Sequence, residues 1–319
     1  MNPTGKDLLQ RKIELRNGVI LGIMLLVSLL TMPTRFTLGI LIGGRTGVFN
    51  IFGEGILLTS ASTGLIVASS TQNWFLGFLM GAFVGGAAGL AFIYLHETYK
   101  VNQFLLGIIF FILGAGLGDL IYKLLIGVTL TPPLAPPTPV VGGKILSEIP
   151  ILSGFLHQSV VVYFMYAAMI IAWWFYYGTK VGLETRAIGE NPKVADVVGV
   201  NVTLRRYLVT IIGSILIGIA GAYLAIVVIK TYSSGISGGR GFMAIGITIF
   251  ASWKPQRALL GGLLFAAVEV LAFTLQIAAK NFPYQIPLML PFLAVLIIMM
   301  IFKARIEFPA AVGKPYSRE

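Results

Sequence analysis

Three acidic residues lie inside or at the edge of long apolar runs, where an ionised side chain is costly and often functional. Glu54 follows a glycine-rich string, Asp119 lies near the end of a hydrophobic run, and Glu269 lies at the centre of another. Carboxylates in such positions could bind a proton or a sodium ion. For Asp119 we favour a simpler prediction, an ion pair with Lys123 one helical turn away, because both residues lie near the end of the run.

The sequence carries none of the residue patterns that support catalysis. It has no nucleophile with a partnered base, no paired catalytic carboxylates and no phosphate-binding string of the form G-x-x-x-x-G-K-[ST]. His96 and His157 are far apart and lack the spacing of a zinc-protease helix, so we interpret both as interfacial residues. The chain is therefore predicted not to be an enzyme and to bind no metal or cofactor itself.

The composition is that of an integral membrane protein. Hydrophobic residues make up 57% of the 319 residues, charged residues make up 11%, and the mean hydropathy is +0.90. Such a chain has too little polar surface to cover a soluble globule of this length. The net charge of +11 comes from basic residues scattered among apolar runs, so it indicates membrane topology and not a nucleic-acid partner.

The order of apolar and polar segments predicts an all-α polytopic membrane protein with about ten transmembrane segments in a single domain, residues 1–319. Residues 36–42 and 242–252 are too short for complete spans, so they predict short or broken helices. Most basic residues then fall on the cytoplasmic side, as the positive-inside rule requires. The segments predicted outside the bilayer are a cytoplasmic N-terminus (1–17), a Pro-rich external loop (129–155), a cytoplasmic loop (180–206) and a cytoplasmic tail (303–319).

A glycine-rich string near the start of the chain has a counterpart later. GGRTGVFNI at residues 43–51 is echoed by GGRGFMAIG at residues 238–246. This echo indicates an inverted repeat of the kind that transporters use to alternate access. Short Gly-Arg-Gly strings also arise by chance, so the sequence leaves both interpretations open.

The apolar run at residues 74–95 has a glycine at every fourth position. On a helix this spacing forms a smooth ridge that lets a second helix backbone approach closely. We interpret the ridge as a packing surface. Its members are Gly77, Gly81, Gly85 and Gly89.

Residues 180–206, the elbow, form the longest charged interruption between hydrophobic runs. Gly189 is positioned to end a first short helix, and Asn191 to cap a second helix that has Pro192 at its first position. Gly199 is positioned to end that second helix. The pattern predicts a compact helical elbow outside the bilayer.

The second elbow helix is predicted to be amphipathic. Val194, Val197 and Val198 fall on one face, while Lys193 and Asp196 fall elsewhere. We expect the valine face to rest on the membrane domain and the charged face to point outward. The outward face would then be a docking surface.

The elbow contains the spacing G-L-x-x-R-A-x-G-E-N-P-x-x-A-x-x-x-G. It resembles the cytoplasmic coupling loop of ABC importer permeases, in the simple-sugar and nucleoside branch of the family that includes branched-chain amino-acid permeases. The resemblance implies cytoplasmic coupling helices that contact a separate ATPase. The residues implied in this contact are Leu183, Glu184, Arg186, Ala187, Gly189, Glu190, Asn191, Pro192, Lys193 and Gly199.

A second string, GRTGVFNIFGEG, resembles a motif near the start of the same permeases. Arg45 keeps the family's arginine, whereas Gly43 and Gly44 replace its usual serine and glutamate, so no side-chain role carries over to these two positions. The positions that match are Gly47, Val48, Asn50, Ile51, Glu54 and Gly55.

The resemblance implies an importer in the cell membrane with two permease subunits, two ATPase subunits and an extracytoplasmic binding protein. ATP and Mg²⁺ would bind to the ATPase and not to this chain. In the nucleoside branch the permeases usually come as two unlike paralogues, and this chain resembles the shorter one. A homodimeric permease is the other arrangement.

The substrate pathway is expected near the second string and its echo. Asn50 and Glu54 could form hydrogen bonds with a sugar or nucleoside, and Phe49 and Phe242 could offer stacking faces. Asn50 and Glu54 could instead cap the ends of broken helices. The predicted function is a permease subunit that translocates a nucleoside or simple sugar. The alternative is an ion-coupled secondary transporter, in which Glu54 and Glu269 would bind the ion.

Overall fold

The computed structural model describes residues 36–127, 131–141, 158–278, 283, 285–302 and 307–317. The predicted N-terminus (1–17), most of the Pro-rich loop and His157 lie outside the described residues. Within them the chain is mostly helical, with one two-residue antiparallel pair of strands, β1 (Val140–Val141) and β2 (Gln158–Ser159). The helices are α1 (described over 36–44), α2 (Gly53–Thr71), α3 (Trp74–Thr98), α4 (Gln103–Leu125), α5 (Val160–Gly178), α6 (Lys180–Glu190), α7 (Pro192–Val197), α8 (Val202–Tyr223), α9 (Arg240–Phe250), α10 (Pro255–Ala278) and α11 (Gln285–Phe302).

Five described helices are long and apolar enough to cross a membrane, against the roughly ten segments expected from the whole sequence. They are α3, α4, α5, α10 and α8 together with the π-helical turn Leu224–Val228 that continues it. Helices α9 and α11 are apolar but shorter. The chain is therefore a multi-pass membrane protein, and the short helix that the sequence predicts at residues 242–252 corresponds to α9.

The centre of the bundle is α2, which is buried along nearly its whole length by α3, α4 and α8. The predicted glycine ridge of α3 packs against α8. A Cβ atom added to Gly81 would lie 2.8 Å from the carbonyl oxygen of Gly218, and one added to Gly85 would overlap the carbonyl oxygen of Ser214. The prediction of a packing ridge is confirmed, because the helix backbones are too close for any side chain.

The two glycine-rich strings both adjoin breaks in helices. In the first, Gly43 and Gly44 lie in the last turn of α1, and the chain is irregular until α2 begins at Gly53. In the second, Gly238 and Gly239 have positive φ angles of 55° and 78° and precede α9. The Gly-Gly pair thus lies at the end of a helix in the first string and just before the start of a helix in the second. The two strings therefore differ in backbone conformation.

Several distant segments meet at one end of the bundle, here called the elbow end. Gly189 of the elbow accepts a hydrogen bond from the Ala311 amide (2.9 Å), and Gly47 accepts one from the Gly313 amide (3.1 Å). Lys254 lies 3.6 Å from Glu307. The sequence predicts that the elbow and the tail are both cytoplasmic, and the fold brings them together, along with the turn after Arg45 and the segment at Lys254.

Candidate functional site

The elbow forms two short helices, α6 and α7, as the sequence predicts. The side chain of Asn191 accepts a hydrogen bond from the amide of Val194 (3.2 Å), and Pro192 occupies the first position of α7. Gly199 has a φ angle of +91°, and its amide bonds to the carbonyl of Asp196 (2.9 Å). These contacts satisfy amides and carbonyls that helix ends otherwise leave unpaired.

Gly189 differs in role from the prediction. Helix α6 continues one residue further, to Glu190. Gly189 is buried, and a Cβ atom there would overlap the carbonyl oxygen of Arg45. The glycine is therefore required by a close approach between the elbow and the bundle, rather than by a helix end.

The expected orientation of α7 is wrong. Val194, Val197 and Val198 are 58%, 87% and 78% exposed, whereas Ala195 is buried. Ala195 packs with Ile188, Val202 and the side chain of Tyr316 from the tail. The valines do share one face, but this face points away from the bundle, because the small alanine is the side chain that fits against Tyr316.

Leu183 of α6 is a further exposed apolar residue of the elbow, at 58%. The charged groups of two predicted contact residues have partners within the chain. Glu184 accepts a hydrogen bond from Arg205 (2.6 Å), and the guanidinium of Arg186 lies 4.9 Å from the centre of the Tyr177 ring. Of the predicted contact residues, Leu183, Ala187, Glu190, Asn191, Lys193 and Gly199 are exposed and Glu184, Arg186 and Pro192 are half-buried.

Arg206, the last residue of the elbow, is fully buried. Its Nη1 lies 2.6 Å from Oε1 of Glu97, which is itself only 4% exposed. Sequence reasoning missed this pair, although a signal for the arginine exists. Arg206 shares a helical face with Val202, Val209 and Gly213, all buried, so its position in the apolar period of α8 indicated burial.

A second cluster forms where the first turns of α2 and α9 meet. Glu54 accepts a hydrogen bond from the amide of Gly241 (2.6 Å) and another from the hydroxyl of Ser237. A Cβ atom on Gly241 would lie 2.9 Å from the Cα of Glu54, so only glycine permits this contact. Glu54 is thus in the position of a cap for α9, because its oxygens accept hydrogen bonds from donors at the start of that helix.

Arg240, the first residue of α9, forms an ion pair with Glu269 of α10. Nε of the arginine lies 2.8 Å from Oε1 of the glutamate, and the arginine also donates to the carbonyl of Ser237 (3.1 Å). The pair places a charged arginine about halfway along α10. Both glutamates that an ion-coupled carrier would use therefore have partners within the protein.

The other candidate pathway residues lie in different surroundings. Asn50 is buried and donates a hydrogen bond to the hydroxyl of Ser214 (3.3 Å). Phe49 is buried edge-on to Trp253, with ring centres 5.7 Å apart. Phe242 is 43% exposed at the start of α9. Phe242 follows Gly241, which contacts Glu54, and its ring packs edge-on against Phe111 with ring centres 5.1 Å apart, whereas Phe49 and Asn50 are buried.

The ion pair predicted between Asp119 and Lys123 is not among the contacts of the described residues. Asp119 instead accepts hydrogen bonds from the hydroxyls of Tyr232 (2.7 Å) and Ser234. Burial, together with the bond to Asp119, raises the pKa of Tyr232, so its hydroxyl remains a donor. Asp119 thereby ties the segment before α9 to α4, at the end of the bundle opposite the elbow, here called the far end.

His96 is buried, whereas the sequence predicted an interfacial residue. Its Nδ1 lies 2.8 Å from the carbonyl oxygen of Val101, and its ring stacks on Phe92. The histidine therefore closes the turn between α3 and α4.

Comparison with known proteins gives a consistent assignment. Residues 18–303 match the family described as branched-chain amino acid transport system / permease component. The provisionally named glucose ABC transporter permease protein TsgC13 of Haloferax volcanii is 34% identical over 73% of this chain and 71% of its own length. The guanosine ABC transporter permease protein NupQ of Bacillus subtilis is 30% identical over 88% and 91%. The nucleoside ABC transporter permease protein NupC of Lactococcus lactis is 29% identical over 93% and 96%. With two independent motifs in the elbow and before α2, and a match over most of its length, the chain belongs to this family of transport-system permease components.

Proposed function

We propose that this chain is the permease subunit of an ABC importer that moves a nucleoside or a simple sugar across the cell membrane. The observation that carries the proposal is the outward apolar face of the elbow. Val194, Val197, Val198 and Leu183 are exposed at the polar end of the bundle, where an apolar patch marks a protein interface. Exposed Lys193 and Glu190 flank it, as charges flank the rim of an interface.

The partner for this face is an ABC ATPase, which would bind ATP and Mg²⁺. The elbow end is then cytoplasmic, in agreement with the basic segments that gather there. A second permease, paralogous or identical, completes the membrane unit. An extracytoplasmic binding protein would deliver the solute at the far end.

The meeting of α2 and α9 supports a solute pathway near Glu54. Both helices begin inside the bundle, and discontinuous helices with facing N-terminal ends are typical of transporter binding sites. An arrangement of about ten crossings as an inverted repeat would place these two half-helices at equivalent positions. The exposed ring of Phe242 offers a stacking face beside them, suited to a nucleobase or sugar.

The nucleoside or sugar class follows from the relatives, whose names specify glucose, guanosine and nucleosides. An ion-coupled carrier is less well supported. Glu54 is bonded to Gly241 and Ser237, and Glu269 is paired with Arg240, so neither carboxylate is available for an ion. The elbow would also have no role in such a carrier.

Copurification tests the proposal. The tagged chain is expressed in a host that also expresses its neighbouring genes, purified in mild detergent and analysed by mass spectrometry. We expect an ABC ATPase to copurify with the unaltered chain and to be lost from Val197→Asp. Val140→Asp is the matched control, because it places the same charge on an exposed valine at the far end. A chain that purifies alone, or a Val197→Asp chain that keeps the ATPase, would refute the docking face.

A further inference from the structure

The C-terminal residues 307–317, here called the tail strap, lie between the elbow and the bundle. On the elbow side, the amide of Ala311 donates a hydrogen bond to the carbonyl of Gly189 in α6 (2.9 Å). The ring of Tyr316 is buried among Ile188 of α6, Ala195 of α7 and Val202 of α8. The inner face of the elbow therefore rests on the strap.

On the bundle side, charged side chains hold the strap by its backbone. The carbonyl of Lys314 accepts a hydrogen bond from Nη1 of Arg206 (3.0 Å). The amide of Tyr316 donates to Oε2 of Glu97 (3.3 Å), and the carbonyl of Tyr316 accepts from Lys100. Hydrogen bonds to charged groups are stronger than those between neutral groups, so these contacts hold the strap firmly.

The anchor of the strap is the Glu97–Arg206 ion pair itself. The pair is buried, with 2.6 Å between Nη1 and Oε1, and a buried ion pair is costly to break because one charge is then left without a partner. Nε and Nη2 of Arg206 have no partner among the described residues. These two nitrogens could therefore donate hydrogen bonds to the strap in a second, displaced position.

Glu97 and Arg206 belong to α3 and α8, which pack through the glycine ridge. Gly81 and Gly85 allow backbone contact between the two helices, so a shift of one helix is expected to shift the other. A displacement of the strap at Glu97 or Arg206 therefore displaces both helices. Since α3 and α8 extend to the far end, the displacement reaches the opposite side of the bundle.

We propose that the tail strap, clamped by Glu97 and Arg206, transmits movement of the elbow to helices α3 and α8. The proposal rests on the function proposed above, because the movement is imposed by the ATPase on the outer face of the elbow. Lys314 and Tyr316 are then positioning residues. They act through the Glu97–Arg206 pair and contact neither nucleotide nor solute.

The test compares chains that end at different points of the strap. A chain that ends at Gly313 lacks both residues that the ion pair holds, whereas a chain that ends at Ser317 keeps them and serves as the matched control. The protein has no cysteine, so spin labels can be placed on Phe75→Cys in α3 and Leu275→Cys in α10, both exposed near the far end. Their distance is measured by pulsed electron paramagnetic resonance in the complete complex, without nucleotide and after trapping with ATP and vanadate.

We expect trapping to shift the distance distribution in the unaltered chain and in the chain that ends at Ser317. The chain that ends at Gly313 should retain its ATPase subunit and keep the nucleotide-free distance. A shift that persists in the chain ending at Gly313, or is absent from the unaltered chain, would overturn the proposal. An unaltered chain that purifies without an ATPase would instead refute the proposed function.

A milder variant addresses the case in which truncation impairs folding. Tyr316→Ala removes the ring from the elbow while keeping the backbone groups that Glu97 and Lys100 bind, and Tyr316→Phe is its control. Tyr316→Ala should keep the ATPase and reduce the distance shift by at least half. Loss of the ATPase from both the truncated chain and Tyr316→Ala would show that the strap only supports the docking surface, and so would overturn transmission.

Discussion

Arg206 of α8 and Glu97 of α3, 109 residues apart in sequence, meet through a 2.6 Å contact between Nη1 and Oε1, and both side chains are buried. The two residues join the start of α8 to the end of α3 at the elbow end. The strap is bound to the same pair. This ion pair is therefore the point at which the elbow, the tail and the helix bundle are connected.

Removing the carboxylate of this pair should destabilise the protein strongly. Glu97→Ala leaves the Arg206 charge buried without its partner, which costs about 3–5 kcal/mol. Glu184→Ala is the matched control, because Glu184 pairs with Arg205 at the same end of the bundle but both side chains are partly exposed. Loss of the Glu184 carboxylate should lower the free energy of unfolding by about 1 kcal/mol or less. Thermal unfolding in detergent measures both, and equal decreases in Tm would contradict the assigned role of Glu97.

A side chain on the glycine ridge should prevent close packing of α3 on α8. Gly85→Val places its Cβ atom against the backbone of Ser214, which cannot move without shifting the helix. Overpacking of this kind costs about 1–3 kcal/mol or more. Gly116→Val in α4 is the control, because no atom lies within 4 Å of a Cβ atom at that position. The monodisperse fraction in size-exclusion chromatography should fall only for Gly85→Val.

Glu54 should act through its acceptor oxygens rather than through its charge. Glu54→Ala leaves the amide of Gly241 without its partner, and loss of a cap costs about 0.5–2 kcal/mol. Glu54→Gln keeps one acceptor oxygen and should retain most of the stability and of the proposed nucleoside or sugar uptake. Uptake by proteoliposomes that contain the complete complex, with and without a proton gradient, is the measurement. Gradient dependence that disappears in Glu54→Gln would favour the ion-coupled alternative.

The bond between Tyr232 and Asp119 should hold the segment that precedes α9. Tyr232→Phe removes a hydrogen bond to a charged group, which is worth about 1.5–3 kcal/mol, so amides in residues 229–239 should exchange faster with deuterium. Tyr122→Phe is the matched control, since the neighbouring Tyr122 hydroxyl has no partner among the described residues. Mass spectrometry of the exchanged peptides compares the two. Equal acceleration in both variants would show that Asp119 does not anchor this segment.

Features that depend on neighbouring residues could be predicted from the sequence. Asn191, Pro192 and Gly199 set the bounds of α7 because capping requires atoms only a few residues apart. The glycine ridge of α3 was also predictable, since a spacing of four places small residues on one helix face. The membrane character follows from composition alone.

The periodicity of α7 indicated that Val194, Val197 and Val198 share a face but not the direction of that face. The direction depends on Tyr316, whose ring covers Ala195 from the tail. Likewise, Asp119 was expected to pair with Lys123, but its partner Tyr232 lies 113 residues away in sequence. Each of these predictions was wrong because a distant part of the chain supplied a better packed or stronger contact.

The sequence by itself determined the membrane class, the helix ends of the elbow and the family motifs, because these depend on composition and on chemistry within a few residues. The tertiary structure alone decided that the valines face outward, that Arg206 is buried with Glu97, and that Glu54 meets the start of α9. The physical reason is that these contacts join atoms far apart along the chain. Their energies depend on how helices pack and exclude water, which no local pattern specifies.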